Sequence, residues 1–110
     1  KIYYPGLSSH QGHDIAKKQM DGFGAVISFE LNKKIDPKSF LKSLNMINPS
    51  MSFAGVESTM LSPAETSHYL LTPEDRLAQG ITDNLIRFSV GIEDVPDVIE
   101  DFEQALNKCK

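Results

Sequence analysis

The stretch with the sharpest chemical signature runs from Asn84 to Asp94 and reads Asn-Leu-Ile-Arg-Phe-Ser-Val-Gly-Ile-Glu-Asp. At the two-residue period of a β-strand, Ile86, Phe88, Val90 and Ile92 share one face, and Leu85, Arg87, Ser89 and Gly91 share the other. The first face suits a core. The second carries one guanidinium, followed on the same side by a hydroxyl and a bare glycine. A planar guanidinium on a stiff strand can aim two parallel N–H donors at a carboxylate or phosphate. Periodicity by itself favours the plainer reading, a solvated arginine on a half-exposed strand, because arginines are mostly exposed.

Other chemistry is thin. His10 and His13 stand three apart and could share a helix face. A metal site would need a third ligand such as His68 from far along the chain, and no carboxylate or cysteine cluster adds one, so no metal is expected. No Ser/His/Asp order, paired-carboxylate motif or nucleophile elbow is present. Gly22-Phe23-Gly24 is too short for a phosphate loop and no helical pattern follows it; close backbone packing explains those glycines.

The elements that would position Arg87 follow from pattern. Tyr4-Pro5-Gly6 is a turn, and Ser8-Ser9 offers the N-cap of a first helix that carries Ile15, Gln19 and Met20 and closes at Gly22. Phe23 to Leu31 alternates as a strand, with Phe23, Ala25, Ile27, Phe29 and Leu31 inward. Asp36-Pro37 starts a helix whose apolar stripe of Phe40, Leu41, Leu44 and Ile47 carries it to about Ile47. Met51 to Met60 reads as a short strand broken at Gly55, its small residues suiting close approach by a ligand or another backbone. Thr72-Pro73 opens a short helix that stops at Gly80. Asp94 caps a last helix with Val95, Val98, Ile99, Phe102, Ala105 and Leu106 on its apolar side and Asp97, Glu100, Asp101 and Glu103 in water. The sum is a two-layer α/β domain, a small and mostly antiparallel sheet with helices against one face.

With 110 residues, 40% hydrophobic and 24% charged, the chain fits a single globular domain. A net charge of −4 without a basic run speaks against nucleic acid. No apolar run is long enough to span a membrane, and the opening Lys1-Ile2-Tyr3-Tyr4-Pro5 is not a signal peptide. The single Cys109 excludes an internal disulfide and fits a reducing compartment, here the cytoplasm.

Beyond this the whole chain resembles a known family. Tyr4-Pro5-Gly6-Leu7 with Ser9-His10, Phe23-Gly24-Ala25-Val26-Ile27-Ser28-Phe29-Glu30, Ser52-Phe53-Ala54-Gly55-Val56-Glu57-Ser58, Pro63-Ala64 with Ser67-His68, and Gly80 through Asp94 stand in the same order as in the transsulfuration enzymes. These are the PLP-dependent enzymes of Cys/Met metabolism. The resemblance implies the fold of their C-terminal domain, with 1–110 a single domain of a longer chain whose large cofactor-binding domain is absent. It implies that Arg87 binds the substrate α-carboxylate, which reverses the plainer reading above. Ser52 matches a serine beside substrate and cofactor lysine. Met51 stands where γ-synthases and γ-lyases often carry Glu and some β-lyases carry Tyr; Met cannot read the distal amino group of cystathionine, which leans towards β-lyase activity. Phe53-Ala54 replaces the family's Leu-Gly.

The resemblance further implies pyridoxal 5′-phosphate (PLP) in the intact enzyme, cystathionine as substrate, homotetramers and a cytoplasmic setting. Cystathionine γ-synthase or γ-lyase activity is the alternative. None of Lys17, Lys18, Lys33, Lys34, Lys38 and Lys42 matches the cofactor lysine, so this chain is expected to hold no catalytic residue and no PLP, and to be inactive alone. Two non-catalytic alternatives stay open, a binding module for amino-acid carboxylates and an assembly module.

Overall fold

Nine short elements follow one another in a computed structural model that describes residues 1–110: β1 (Ile2–Tyr3), α1 (His13–Gln19), β2 (Val26–Glu30), α2 (Pro37–Lys42), β3 (Asn48–Pro49), β4 (Thr59–Leu61), α3 (Pro73–Ala78), β5 (Leu85–Ser89) and α4 (Val95–Lys108). The five strands form one sheet in the order β1-β2-β5-β4-β3, antiparallel except where β3 runs parallel to β4. The expected α/β fold with a mostly antiparallel sheet is therefore what the chain adopts.

Register carries the alternation of β5 across the sheet. Phe88 lies opposite Ile27 and Met60, and Ile86 opposite Phe29, so apolar residues stack on one face. Arg87 lies opposite Ser28 and Leu61, and Ser89 opposite Thr59, on the other. The apolar face meets α2 and α4. Phe40, Ile47, Met60, Ile86, Val98 and Ala105 are buried there, with Leu31 and Phe88. Four rings lock together at the centre: Phe88 and Phe102 meet edge to face at 5.1 Å, and Phe29 sits 6.4 Å from Phe40 and 5.7 Å from Phe102. Burying each such side chain contributes about 1.5–3 kcal/mol.

Capping behaves locally as its chemistry requires in two helices. The Asp36 carboxylate accepts from the Ser39 N–H at 2.9 Å, and the Thr72 hydroxyl accepts from the Asp75 N–H at 3.2 Å, each with proline in the first turn. Gly80 ends α3 with φ +77°, a left-handed step that glycine takes without penalty.

Several boundaries differ from expectation. Ser8 and Ser9 cap nothing: the residues from Tyr4 to His13 form successive three-residue turns, Leu7 N–H to Tyr4 O and His10 N–H to Leu7 O, and α1 begins only at His13. Gly22 and Gly24 have no atoms crowding them; Gly24 is needed for its φ of +81° instead of for close packing. The helix α2 stops at Lys42, not Ile47, and Ile47 reaches the core from an extended segment leading into β3. Met51 to Ser58 is no strand; it is an irregular loop between β3 and β4. Asp94 occupies the N-cap of α4 without a side-chain cap bond. Val95 and Ile99 stay exposed rather than joining the core stripe, as does Ile92, 82% exposed beyond the end of the ladder.

Asp101 is the largest surprise. Read as part of the wet face of α4, it is buried and accepts from three consecutive backbone N–H groups, Asn45 at 2.7 Å, Met46 at 2.9 Å and Ile47 at 2.8 Å. The Gln104 amide donates to it at 2.8 Å. Burial pushes this carboxyl up, but the amides of Ile47, Asn45 and Met46 outweigh it, so its pKa lies below the ordinary value. One side chain thus pins the joint between α2 and β3.

Candidate functional site

The face of the sheet away from the helices is covered by the 51–58 loop. Thr59 on β4 donates its hydroxyl to the Ser52 carbonyl at 2.7 Å. The Ser89 hydroxyl on β5, itself buried, accepts from the Ala54 N–H at 3.0 Å. Beyond β5, the Ile92 N–H donates to the Val56 carbonyl at 2.9 Å. The Glu93 carboxylate accepts from the Ser58 N–H at 2.8 Å and from its hydroxyl at 3.0 Å. The Ser58 amide holds this carboxyl below its ordinary pKa against the opposing push of burial. Gly91 permits the approach, because a Cβ there would collide with the Val56 carbonyl and the Ser58 nitrogen.

Arg87 lies at the edge of this loop. Its Nη2 donates to the Met51 carbonyl at 2.9 Å, and its guanidinium carbon sits 4.8 Å from the centre of the Phe53 ring. Those two contacts fix the plane of the group. No carboxylate of the chain pairs with it: the ion pairs are Lys38 with Glu65 and Arg76 with Asp83. The contrast with Arg76 is direct, since that guanidinium also donates to the Leu71 carbonyl and is spent on the fold. Arg87 keeps unused N–H donors on a half-buried, oriented fork.

Of the sequence-derived residues, the structure joins Arg87 to Met51 through the Met51 carbonyl and shows no hydrogen bond from either to the Ser52 side chain. Ser52, next in the chain to Met51, donates its N–H to the Ser50 hydroxyl at 3.2 Å and accepts at its carbonyl from Thr59; Met51 and Ser52 are both exposed. Ala54, next to Phe53 in the loop, has φ +61°, a left-handed backbone conformation uncommon for a residue other than glycine. Sequence reasoning missed the tether formed by Ser58, Ser89 and Glu93. The signal was available, because Arg87, Ser89, Gly91 and Glu93 fall at alternate positions. The histidines do not converge: His10 accepts from Gly12, His13 contacts the Pro5 carbonyl, and His68 contacts Ser67. No cluster of His, Cys, Asp or Glu could hold a metal.

Fold and site together define a class: an α/β domain presenting from a sheet strand, beside a tethered loop, one guanidinium that pairs with no carboxylate of the chain. A model of the Cys/Met metabolism PLP-dependent enzymes matches residues 1–107, and the chain belongs to that family. It is 48% identical over 109 residues to an L-methionine gamma-lyase of Fusobacterium nucleatum subsp. polymorphum, covering 98% of this chain and 28% of that one. It is 47% identical over 108 residues to a cystathionine beta-lyase of Lactococcus lactis subsp. cremoris, again 98% against 28%. Among solved structures, a cystathionine gamma synthase from Xanthomonas oryzae pv. oryzae in complex with cystathionine superposes with a TM-score of 0.91 at 39% identity, covering 99% of this chain and 28% of that one. The chain spans little more than a quarter of these relatives, and the methionine gamma-lyase and cystathionine beta-lyase, with different activities, match it at nearly equal identity.

The family's cofactor requires a lysine that meets it in a water-poor pocket. Every lysine of this chain is exposed, on α1, α2 or α4, in the loop after β2, or at a terminus. These residues do not fit PLP by themselves. The chain also has no helix long and apolar enough to cross a membrane.

Proposed function

We propose that this chain is the C-terminal, substrate-reading domain of a PLP-dependent transsulfuration enzyme. In this reading the intact protein cleaves the carbon–sulfur bond of cystathionine by β-elimination, releasing homocysteine, pyruvate and ammonia. The observation that carries the reading is Arg87: oriented by the Met51 carbonyl and the Phe53 ring, and free of any carboxylate partner. It would hold the substrate α-carboxylate and so fix the direction of the bonds at the neighbouring carbon, a positioning contribution. Ser52, exposed in the same loop, would help to orient the amino acid. The cofactor, its lysine and the proton transfers belong to the large domain, which the length of the relatives leaves room for. The chain alone is inactive in this reading. The intact enzyme works in the cytoplasm as a homotetramer, which light scattering of the purified protein would test.

Met51 sets the preference for β-cleavage. Met51 is 60% exposed, its carbonyl accepts from Arg87, and its apolar side chain offers no anion to a distal ammonium group. The same apolar rim favours a second reading, γ-cleavage of methionine, whose far end is an uncharged thioether. The intact enzyme supplied with PLP and either amino acid separates the two. Pyruvate from cystathionine supports the β-lyase. 2-Oxobutyrate with methanethiol from methionine supports the second reading and removes the first. No keto acid from either would point to a synthase.

A further inference from the structure

Every second residue from Arg87 onward touches the same loop. Arg87 donates to Met51, Ser89 accepts from Ala54, the Gly91 N–H donates to the Ser58 hydroxyl at 2.9 Å, and Glu93 accepts from Ser58 twice over. The two ends of this row differ in kind. Arg87 has spare donors and faces outward; Glu93 has a carboxylate turned inward on one residue and pairs with no cation of the chain. A carboxylate committed to a loop amide fixes that loop more firmly than a neutral acceptor, because the charge strengthens each bond. The loop it fixes supplies both groups that orient the guanidinium, the Met51 carbonyl and the Phe53 ring.

We propose that Glu93 and Ser89 are positioning residues for the substrate carboxylate, acting through Arg87 by clamping the 51–58 loop. The proposal rests on the reading of Arg87 given above. Loss of either clamp lets Ala54 relax from its left-handed conformation and carries Phe53 and the Met51 carbonyl away, leaving the guanidinium without a set direction. The substrate then meets a mobile cation instead of a fixed fork, and recognition of its carboxylate weakens.

The experiment uses the intact, PLP-loaded enzyme and calorimetric binding of 4-(methylthio)butanoate, a carboxylate that has no amino group and cannot react. Glu93→Ala is made beside native Arg87 and again beside Arg87→Ala. The expected result is a rise in Kd of about tenfold in the first background and no further change in the second, the mark of two residues in one network. An equal rise in both backgrounds, or none in the first, overturns the proposal. If Arg87→Ala by itself leaves Kd unchanged, the functional reading of Arg87 falls and the proposal with it. Should Glu93→Ala fail to fold, Ser89→Ala, which removes one buried hydroxyl acceptor, is read in the same two backgrounds by the same criterion.

Discussion

Replacing Asp101 with asparagine tests how much of this fold hangs on one buried carboxylate. The change keeps the shape and removes the charge. Native Asp101 serves the amides of Asn45, Met46 and Ile47 with two oxygens. Asparagine has one acceptor oxygen, so its NH2 must face at least one of those N–H groups. A hydrogen bond to a charged acceptor contributes about 1.5–3 kcal/mol against about 1 for a neutral one, and a stranded buried donor costs about 1–3. Asn45 and Met46 are exposed enough for water to replace the lost acceptor, whereas Ile47 is buried. The expected loss is therefore about 2–3 kcal/mol at neutral pH, a large share of the 5–15 typical of a domain. The loss should also depend on pH. The folded pKa is lowered, so the stabilisation is present above the unfolded carboxylate value of about 4 and disappears as pH falls through the folded value. Urea unfolding followed by circular dichroism, at neutral pH and at successively lower pH, measures both effects. A difference between the two proteins of less than about 0.5 kcal/mol at neutral pH, the range of ordinary surface changes, would refute the reasoning. So would a difference that stays constant into acid.

In the intact enzyme, Arg87→Ala should lower kcat/KM by a factor equivalent to about 2–4 kcal/mol, with KM raised, and Arg87→Lys should restore only part because the fork is lost. Steady-state kinetics with cystathionine checks this, and an unchanged kcat/KM removes Arg87 from the site. Ala54→Gly should stabilise the chain by about 0.5–1 kcal/mol, since the left-handed backbone penalty of alanine exceeds the added freedom of glycine in the unfolded state; a lower melting temperature would contradict it. Borohydride reduction of this 110-residue chain with PLP should fix no stoichiometric pyridoxyl group on any one lysine, as read by mass spectrometry of the digest.

Strong local signals survived into the structure. The alternation around Arg87 placed Ile86 and Phe88 in the core and Arg87 on the opposite face, because both neighbours of β5 carry matching patterns. Pro37 after Asp36 and Pro73 after Thr72 opened their helices where capping chemistry put them. What stayed illegible lacked a period or depended on a distant partner. Pieces as short as Asn48–Pro49 and Thr59–Leu61 contain no repeat to detect. The spacing of Phe40, Leu44 and Ile47 looked helical, yet Asp101 draws the amides of residues 45–47 out of the helix while leaving Ile47 its place in the core. A carboxylate reaching back more than fifty residues leaves no trace in a local window. The likeness in residue order across the chain identified the family, whereas the tether around Arg87 emerged only from the fold.

The two faces of β5 also restrict how this strand can change over generations. Ile86 and Phe88 fill the interior while Arg87 and Ser89 serve the other side, at consecutive positions. A one-residue slip of β5 against its neighbours would exchange the two sets, driving a guanidinium into the aromatic cluster and turning Phe88 outward. Lineages carrying this strand can therefore substitute residues within it, but a one-residue register shift removes the core face and the face that holds the 51–58 loop in the same event.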